Sequence, residues 1–169
     1  MIVLVLGGTR SGKSEVAERL ASSLPRPVTY VATGLATDAS MANRIAAHRA
    51  RRPQDWSTSE AGADLVAALL DLPSGTVLVD SLGTWVAAHD ELAVDTGALL
   101  DALSRRGGDT VVVSEEVGLS IHAPTELGRR FVDALGEVNR AVADVADEVL
   151  LVIAGRVLPL DRCPQFERD

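Results

Sequence analysis

Cysteine is nearly missing from this chain. Cys163 is the only one in 169 residues, so no internal disulfide forms and no zinc site can rest on thiolates alone. Aromatic residues make up 3% of the chain, which points to an aliphatic core holding Trp56 and Trp85 rather than to stacking platforms for bases. No apolar run approaches the roughly 18 residues that cross a bilayer. The opening stretch from Met1 to Gly8 carries neither a basic leader nor an Ala-x-Ala cleavage site, so the expectation is a cytoplasmic protein without a membrane span. Positive charge is short as well: 16 Lys and Arg face 24 Asp and Glu, for a formal net charge of −8. Such a surface repels nucleic acid, and a polyanion bound here must be small and gripped locally.

Lysine is the scarcest of the common charged residues. Of the 16 basic side chains 15 are Arg, and only Lys13 is Lys. Arginine-rich codon usage accounts for the ratio but not for the one exception. An ammonium is a compact point charge and a guanidinium a planar fork, so a position that must place one charge between adjacent phosphate oxygens selects lysine.

What is present fits one domain spanning 1–169, with 47% hydrophobic and 24% charged residues. A chain of this size buries roughly 70% of its unfolded surface and needs no staple. Short β-branched runs at 2–6, 28–32, 76–79, 110–113 and 149–153 read as five strands buried on both faces. Between them, helical spacing appears at 13–24, about 39–51, 61–72, 95–103 and about 125–146. Strand, helix and strand in alternation predict an α/β fold, a mainly parallel sheet with helices on both faces. Ser57-x-x-Glu60 reads as a capping box ahead of the 61–72 helix, and Pro53 as the stop of the helix before it. The tail 155–160 is open to a further strand, which Pro159 confines to an edge.

Gly7-Gly8-Thr9-Arg10-Ser11-Gly12-Lys13-Ser14 matches G-x-x-x-x-G-K-[ST], and it sits after an apolar strand and at the opening of a helix. The glycines let successive N–H groups turn inward, the helix N-terminus adds partial positive charge, Lys13 reaches the β and γ phosphates, and Ser14 ligates Mg²⁺. The expectation is a P-loop NTPase-type fold binding GTP or ATP. A second acidic ligand belongs at the end of a neighbouring strand, and Asp80 after Val79 supplies it; capping of the next helix is its other reading. Glu115 and Glu116 end the 110–113 run in the same way, and adjacent strand positions face opposite sides, so one of the two belongs to the site and the other to solvent or a cap.

Met41, Arg44, Ile45 and His48 share a helical face, with Arg49, Arg51 and Arg52 in the turn that follows. Basic residues favour a helix C-terminus in any case. The same cluster would keep the His48 imidazole neutral, the form that attacks phosphorus, so the residues alone leave His48 between packing and nucleophile. His89 and His122 have no relay partner at helical spacing.

The ordered set of motifs resembles the bifunctional adenosylcobinamide kinase and adenosylcobinamide-phosphate guanylyltransferases of cobalamin synthesis. It comprises the loop from Gly7 to Ser14, Tyr30-Val31-Ala32-Thr33, Met41-Ala42-x-Arg44-Ile45-x-x-His48-Arg49-x-x-Arg52-Pro53, Trp56-x-Thr58-x-Glu60, Val79-Asp80-Ser81-Leu82, Glu116-Val117-Gly118 and Asn139-Arg140. The resemblance implies phosphorylation of the hydroxyl of adenosylcobinamide, then transfer of GMP from GTP through a guanylyl-histidine at His48. It further implies guanine-nucleotide contacts from the P-loop, Ala32, Thr33, Arg49, Arg51, Arg52, Glu60 and Asp80, metal ligation by Ser14 and Asp80, a corrinoid substrate, and a homo-oligomer, a trimer in the family. Glu115-Glu116-Val117-Gly118 stands where the family has Asn-Glu-Val-Gly, which adds one negative charge beside the triphosphate. A small-molecule kinase with an inert His48, and a nucleotide-dependent switch, are the competing readings.

Overall fold

The computed structural model describes residues 1–34, 52–119 and 123–162. The helix expected at about 39–51 lies outside the described residues, as do His48, Arg49, Arg51, His122 and Cys163. The described elements run β1 (Ile2–Gly7), α1 (Lys13–Ser23), β2 (Val28–Ala32), β3 (Ser57–Glu60), α2 (Leu65–Asp71), β4 (Thr76–Asp80), α3 (Leu82–Ala87), α4 (Thr96–Arg105), β5 (Thr110–Glu115), α5 (Glu126–Val145), β6 (Glu148–Ile153) and β7 (Arg156–Pro159).

The strands form one sheet in the order β3-β2-β4-β5-β1-β6-β7. All neighbours pair in parallel except β7, which runs antiparallel to β6 at the edge. Five strands were expected and the described residues contain seven. One addition is β7, placed at the edge that Pro159 predicted. The other is a correction: Ser57–Glu60 is not a helix cap but β3, paired with β2 from Thr29↔Ser57 to Ala32↔Glu60. The reason is an unpaired edge on β2. Ser57 shares a 2.8 Å hydrogen bond with Thr29 Oγ1 instead of capping a helix, and the N–H groups of Ala61 and Gly62 donate to the Ala32 carbonyl at 2.8 and 3.2 Å. Hydrogen bonding to β2 therefore continues into the turn after β3, and α2 starts only at Leu65.

Alternation along the strands divides the core into two layers. Leu4, Val31, Val77, Val79 and Val112 face the cluster that holds Leu65 and Leu69 of α2, Leu82, Trp85 and Val86 of α3, Leu99 of α4 and Leu135 and Val138 of α5. Val3, Val5, Val28, Tyr30, Leu78, Val111 and Val113 face the opposite way, onto Ala17 and Ala21 of α1 and onto Trp56. Both tryptophans are core residues, as expected from the aromatic poverty of the chain. No helix among the described residues is long and apolar enough to cross a membrane.

Trp85 ties the larger layer together. It is buried, its Nε1–H donates to the Ala63 carbonyl at 3.0 Å, and the His89 ring meets it edge-on with centroids 5.3 Å apart. His89 Nδ1–H in turn donates to the Trp85 carbonyl at 2.9 Å, which gives that histidine a structural role. Trp85→Ala is expected to remove about 3–5 kcal/mol of stability, a large share of the roughly 5–15 kcal/mol typical of a domain, read as a fall in the denaturant midpoint.

Candidate active site

In an open parallel sheet the ligand edge is the one at the carboxyl ends of the strands, and here the ladder register determines which residues meet there. Glu60, Ala32 and Asp80 lie in one row across β3, β2 and β4, while Gly7 pairs with Glu115 on one side and Val152 on the other. Because β5 lies between β1 and β4, its last residue, Glu115, stands between the glycine-rich loop and Asp80.

The loop itself is tightly turned. Arg10 and Gly12 have φ of 58° and 92°, and Ser11 N–H donates to the Gly8 carbonyl at 3.2 Å. At Gly7 a Cβ would lie 2.5 Å from Ser11 Oγ and 2.8 Å from the Val152 carbonyl, so no side chain fits where β1 enters the turn. The outside of the loop is braced by the β6–β7 turn: Gly155 N–H donates to the Ser11 carbonyl at 2.7 Å, and a Cβ on Gly12 would come within 3.3 Å of Gly155 Cα. Lys13 opens α1 and folds back over the loop, with Nζ 3.5 Å from the Gly8 carbonyl and 3.4 Å from Glu115 Oε1. Ser14 follows in the first turn of α1, half-buried.

The paired glutamates separate. Both Glu115 carboxylate oxygens accept from Ser81 Oγ, at 3.1 and 3.0 Å, and the carboxylate occupies the space left by the missing Cβ of Gly83. Glu116 turns onto its own loop and accepts from the N–H groups of Gly118 and Leu119 at 2.9 and 3.0 Å. Asn139 of α5 anchors this strand end, accepting from Ser114 Oγ at 2.6 Å and donating to the Glu115 carbonyl at 2.9 Å.

A second group surrounds Asp80. Tyr30 OH donates to its Oδ2 at 3.2 Å, and the Arg52 guanidinium lies 3.4 Å from the centroid of the Tyr30 ring, a cation–π stack. Burial, reinforced by the Asp80 charge, pushes the Tyr30 phenol far above its ordinary pKa, so it remains a donor throughout the working pH range. Thr33, buried behind them, donates from Oγ1 to the Ser81 carbonyl at 2.6 Å and accepts from Ser81 N–H at 2.9 Å. Removing the phenol hydroxyl with Tyr30→Phe is expected to lower the unfolding free energy by about 1 kcal/mol, measured in urea, because the hydrogen bond from Tyr30 to Asp80 is lost.

Comparison with known proteins decides the family. Residues 3–160 match the family described as cobinamide kinase / cobinamide phosphate guanyltransferase. The chain belongs to this family. Its relatives include the bifunctional adenosylcobalamin biosynthesis protein CobP of Pseudomonas aeruginosa, 41% identical over 93% of this chain and 95% of the relative. CobU of Salmonella typhimurium is 36% identical over 92% of this chain and 97% of its own length, and CobU of Escherichia coli is 34% identical over the same shares. Among solved structures, a type III secretion ATPase superposes with a TM-score of 0.55 at 12% identity, over 89% of this chain and 50% of its own length. The assembled ATPase EscN of enteropathogenic E. coli gives 0.51 at 12% identity, over 90% of this chain and 43% of its own. This chain thus spans half or less of those ATPases, with which it shares the fold.

Within this cobinamide kinase / guanyltransferase chain, the residues expected at the site fall into three sets. Lys13 and the loop from Gly7 to Gly12 form one cradle with Glu115. Asp80 and Arg52 meet through Tyr30, with the Thr33 hydroxyl engaged behind them and the Ala32 carbonyl given to the chain after β3. Glu60 stands exposed at the end of β3. Sequence reasoning passed over Tyr30 as a partner of Asp80, Ser81 as the holder of Glu115, and Gly155 as the brace of the loop. The only signal for Gly155 was its place in a tail that Pro159 directed to an edge.

Proposed function

We propose that this chain phosphorylates the hydroxyl of adenosylcobinamide with a nucleoside triphosphate and then transfers GMP from GTP to the resulting phosphate, both in one nucleotide-binding domain spanning 1–169. The observation that carries the reading is the glycine-rich turn at the carboxyl edge, with the chain's only lysine folded over it, in a member of this family. In the first reaction the turn's amides and Lys13 bind the phosphates of the donor, and the substrate hydroxyl attacks the γ-phosphorus as the bond to the nucleoside diphosphate breaks. In the second, a nitrogen of His48 attacks the α-phosphorus of GTP, the bond to pyrophosphate breaks, and Lys13 and the amides hold the charge that gathers on the departing group. The corrinoid phosphate oxygen then takes the guanylyl group and frees the imidazole.

The oxygen donors here suit a hard cation: Ser14 offers a hydroxyl, and Asp80 a carboxylate oriented by Tyr30 in the manner of an outer-shell partner. Ser14 and Asp80 would hold Mg²⁺, which when bound offsets charge on the phosphate oxygens. Ala32, Thr33, Arg49, Arg51, Arg52 and Glu60 are proposed as nucleotide contacts by resemblance. A cytoplasmic location and a homo-oligomer, a trimer as in the family, are proposed on the same ground, and exposed Val157 and Leu158 on β7 supply an apolar edge for self-association.

Incubation with GTP labelled at the α-phosphate tests the proposal. The expected result is label on the protein that is labile in acid and stable in base, the behaviour of a phosphoramidate. An unlabelled protein that still phosphorylates adenosylcobinamide would reduce the activity to a kinase and overturn the second half.

A further inference from the structure

Lys13 does not wait in solvent for a ligand. Its side chain is 12% exposed, and its ammonium is held by a carboxylate on the neighbouring strand. That carboxylate is fixed from three directions. The ladder sets Glu115 level with Gly7, where the loop begins, Asn139 Nδ2–H holds its carbonyl, and Ser81 Oγ donates to both of its side-chain oxygens. Gly83 completes the seat, since a side chain there would occupy the space of Glu115 Oε2. An anionic group bearing two oxygens, held against the one ammonium of the loop, presents to Lys13 what a phosphate would present.

We propose that Glu115 is a positioning residue that stands in for phosphate on Lys13, so that a nucleotide must take the ammonium away from it to bind, and the carboxylate reclaims Lys13 as the product leaves. The inference rests on the nucleotide-binding part of the function proposed above and not on guanylyl transfer. Two consequences follow from the geometry. Binding of any phosphate chain carries the cost of breaking a partly buried ion pair, and that cost does not depend on the base or ribose. The pair also keeps the ammonium over the loop in the empty protein, so the lysine is already ordered when the ligand arrives, at the expense of affinity.

The test measures binding to the full chain by calorimetry in EDTA, with inorganic tripolyphosphate and GTP as probes. Glu115→Gln retains the size of the side chain and an oxygen for Ser81, but removes the charge. It is expected to tighten both probes by about fivefold, the size of an ion pair of intermediate exposure. In the Lys13→Ala background the same substitution is expected to produce little of that gain, because there is no ammonium left to contest. A folded Glu115→Gln protein with unchanged or weaker affinity overturns the proposal. So does a full gain that persists without Lys13, which would make Glu115 a source of general repulsion. Weaker binding confined to Mg²⁺-containing buffer, beside unchanged affinity in EDTA, would make it a metal ligand and likewise overturn the proposal. Tighter tripolyphosphate binding in a protein that takes no label from GTP would leave this inference standing and remove the guanylyl-transfer reading.

Discussion

Lys13→Ala is expected to cut both phosphorylation of adenosylcobinamide and guanylylation of the protein, each by about two to three orders of magnitude, the scale for removing a preorganised donor from a group-transfer site. Both reactions need the same cation, because each places new negative charge on a phosphate chain held in the same turn: on the nucleoside diphosphate in one case and on pyrophosphate in the other. Lys13→Arg is not expected to rescue either activity. The guanidinium is larger and planar, and the ammonium is confined between the Gly8 carbonyl at 3.5 Å and Glu115 Oε1 at 3.4 Å. The assays are transfer of γ-label to the corrinoid and of α-label to the protein, with circular dichroism confirming that the variant folds. Retention of either activity at more than a few per cent would separate the two reactions into different sites.

The second large effect divides them. His48→Ala is expected to remove all acid-labile α-label from the protein and all transfer of GMP, while phosphorylation of the corrinoid hydroxyl proceeds within about threefold of the parent rate. The asymmetry follows from bond making. Guanylyl transfer through the enzyme requires a nitrogen that becomes bonded to phosphorus, and no hydroxyl or amide at the cradle substitutes for it. Phosphoryl transfer to an alcohol requires only the in-line approach of substrate to a γ-phosphate already held by Lys13 and the loop. Equal loss of both activities would assign His48 to folding or to shared nucleotide binding instead.

The turn of the candidate site was legible before any tertiary contact. The spacing of Gly7, Gly12, Lys13 and Ser14 after an apolar strand predicts a tight glycine-rich turn, and the structure has one there, with φ of 92° at Gly12. Less visible was the strand that carries Glu60. Ser57-Thr58-Ser59-Glu60 contains no apolar residue, so hydrophobic periodicity is silent and a helix-capping pattern fits the same letters; the unpaired edge of β2 settles the matter in favour of extended chain. The fate of the two adjacent carboxylates was equally hidden. Their order in the sequence says that they face opposite ways, not which one faces the loop.

Local chemistry determined the parts of this protein that depend on a few consecutive residues: the strands from β-branched runs, the turn from its glycines, the choice of a compact ammonium at the one lysine. The tertiary structure decided the pairings. Glu115 lies against Lys13, Tyr30 against Asp80 and Gly155 behind Ser11 because parallel register brings together strand ends far apart in the chain. Register is selected by how two apolar faces pack against the sheet, a property of the whole core that no short stretch of sequence carries.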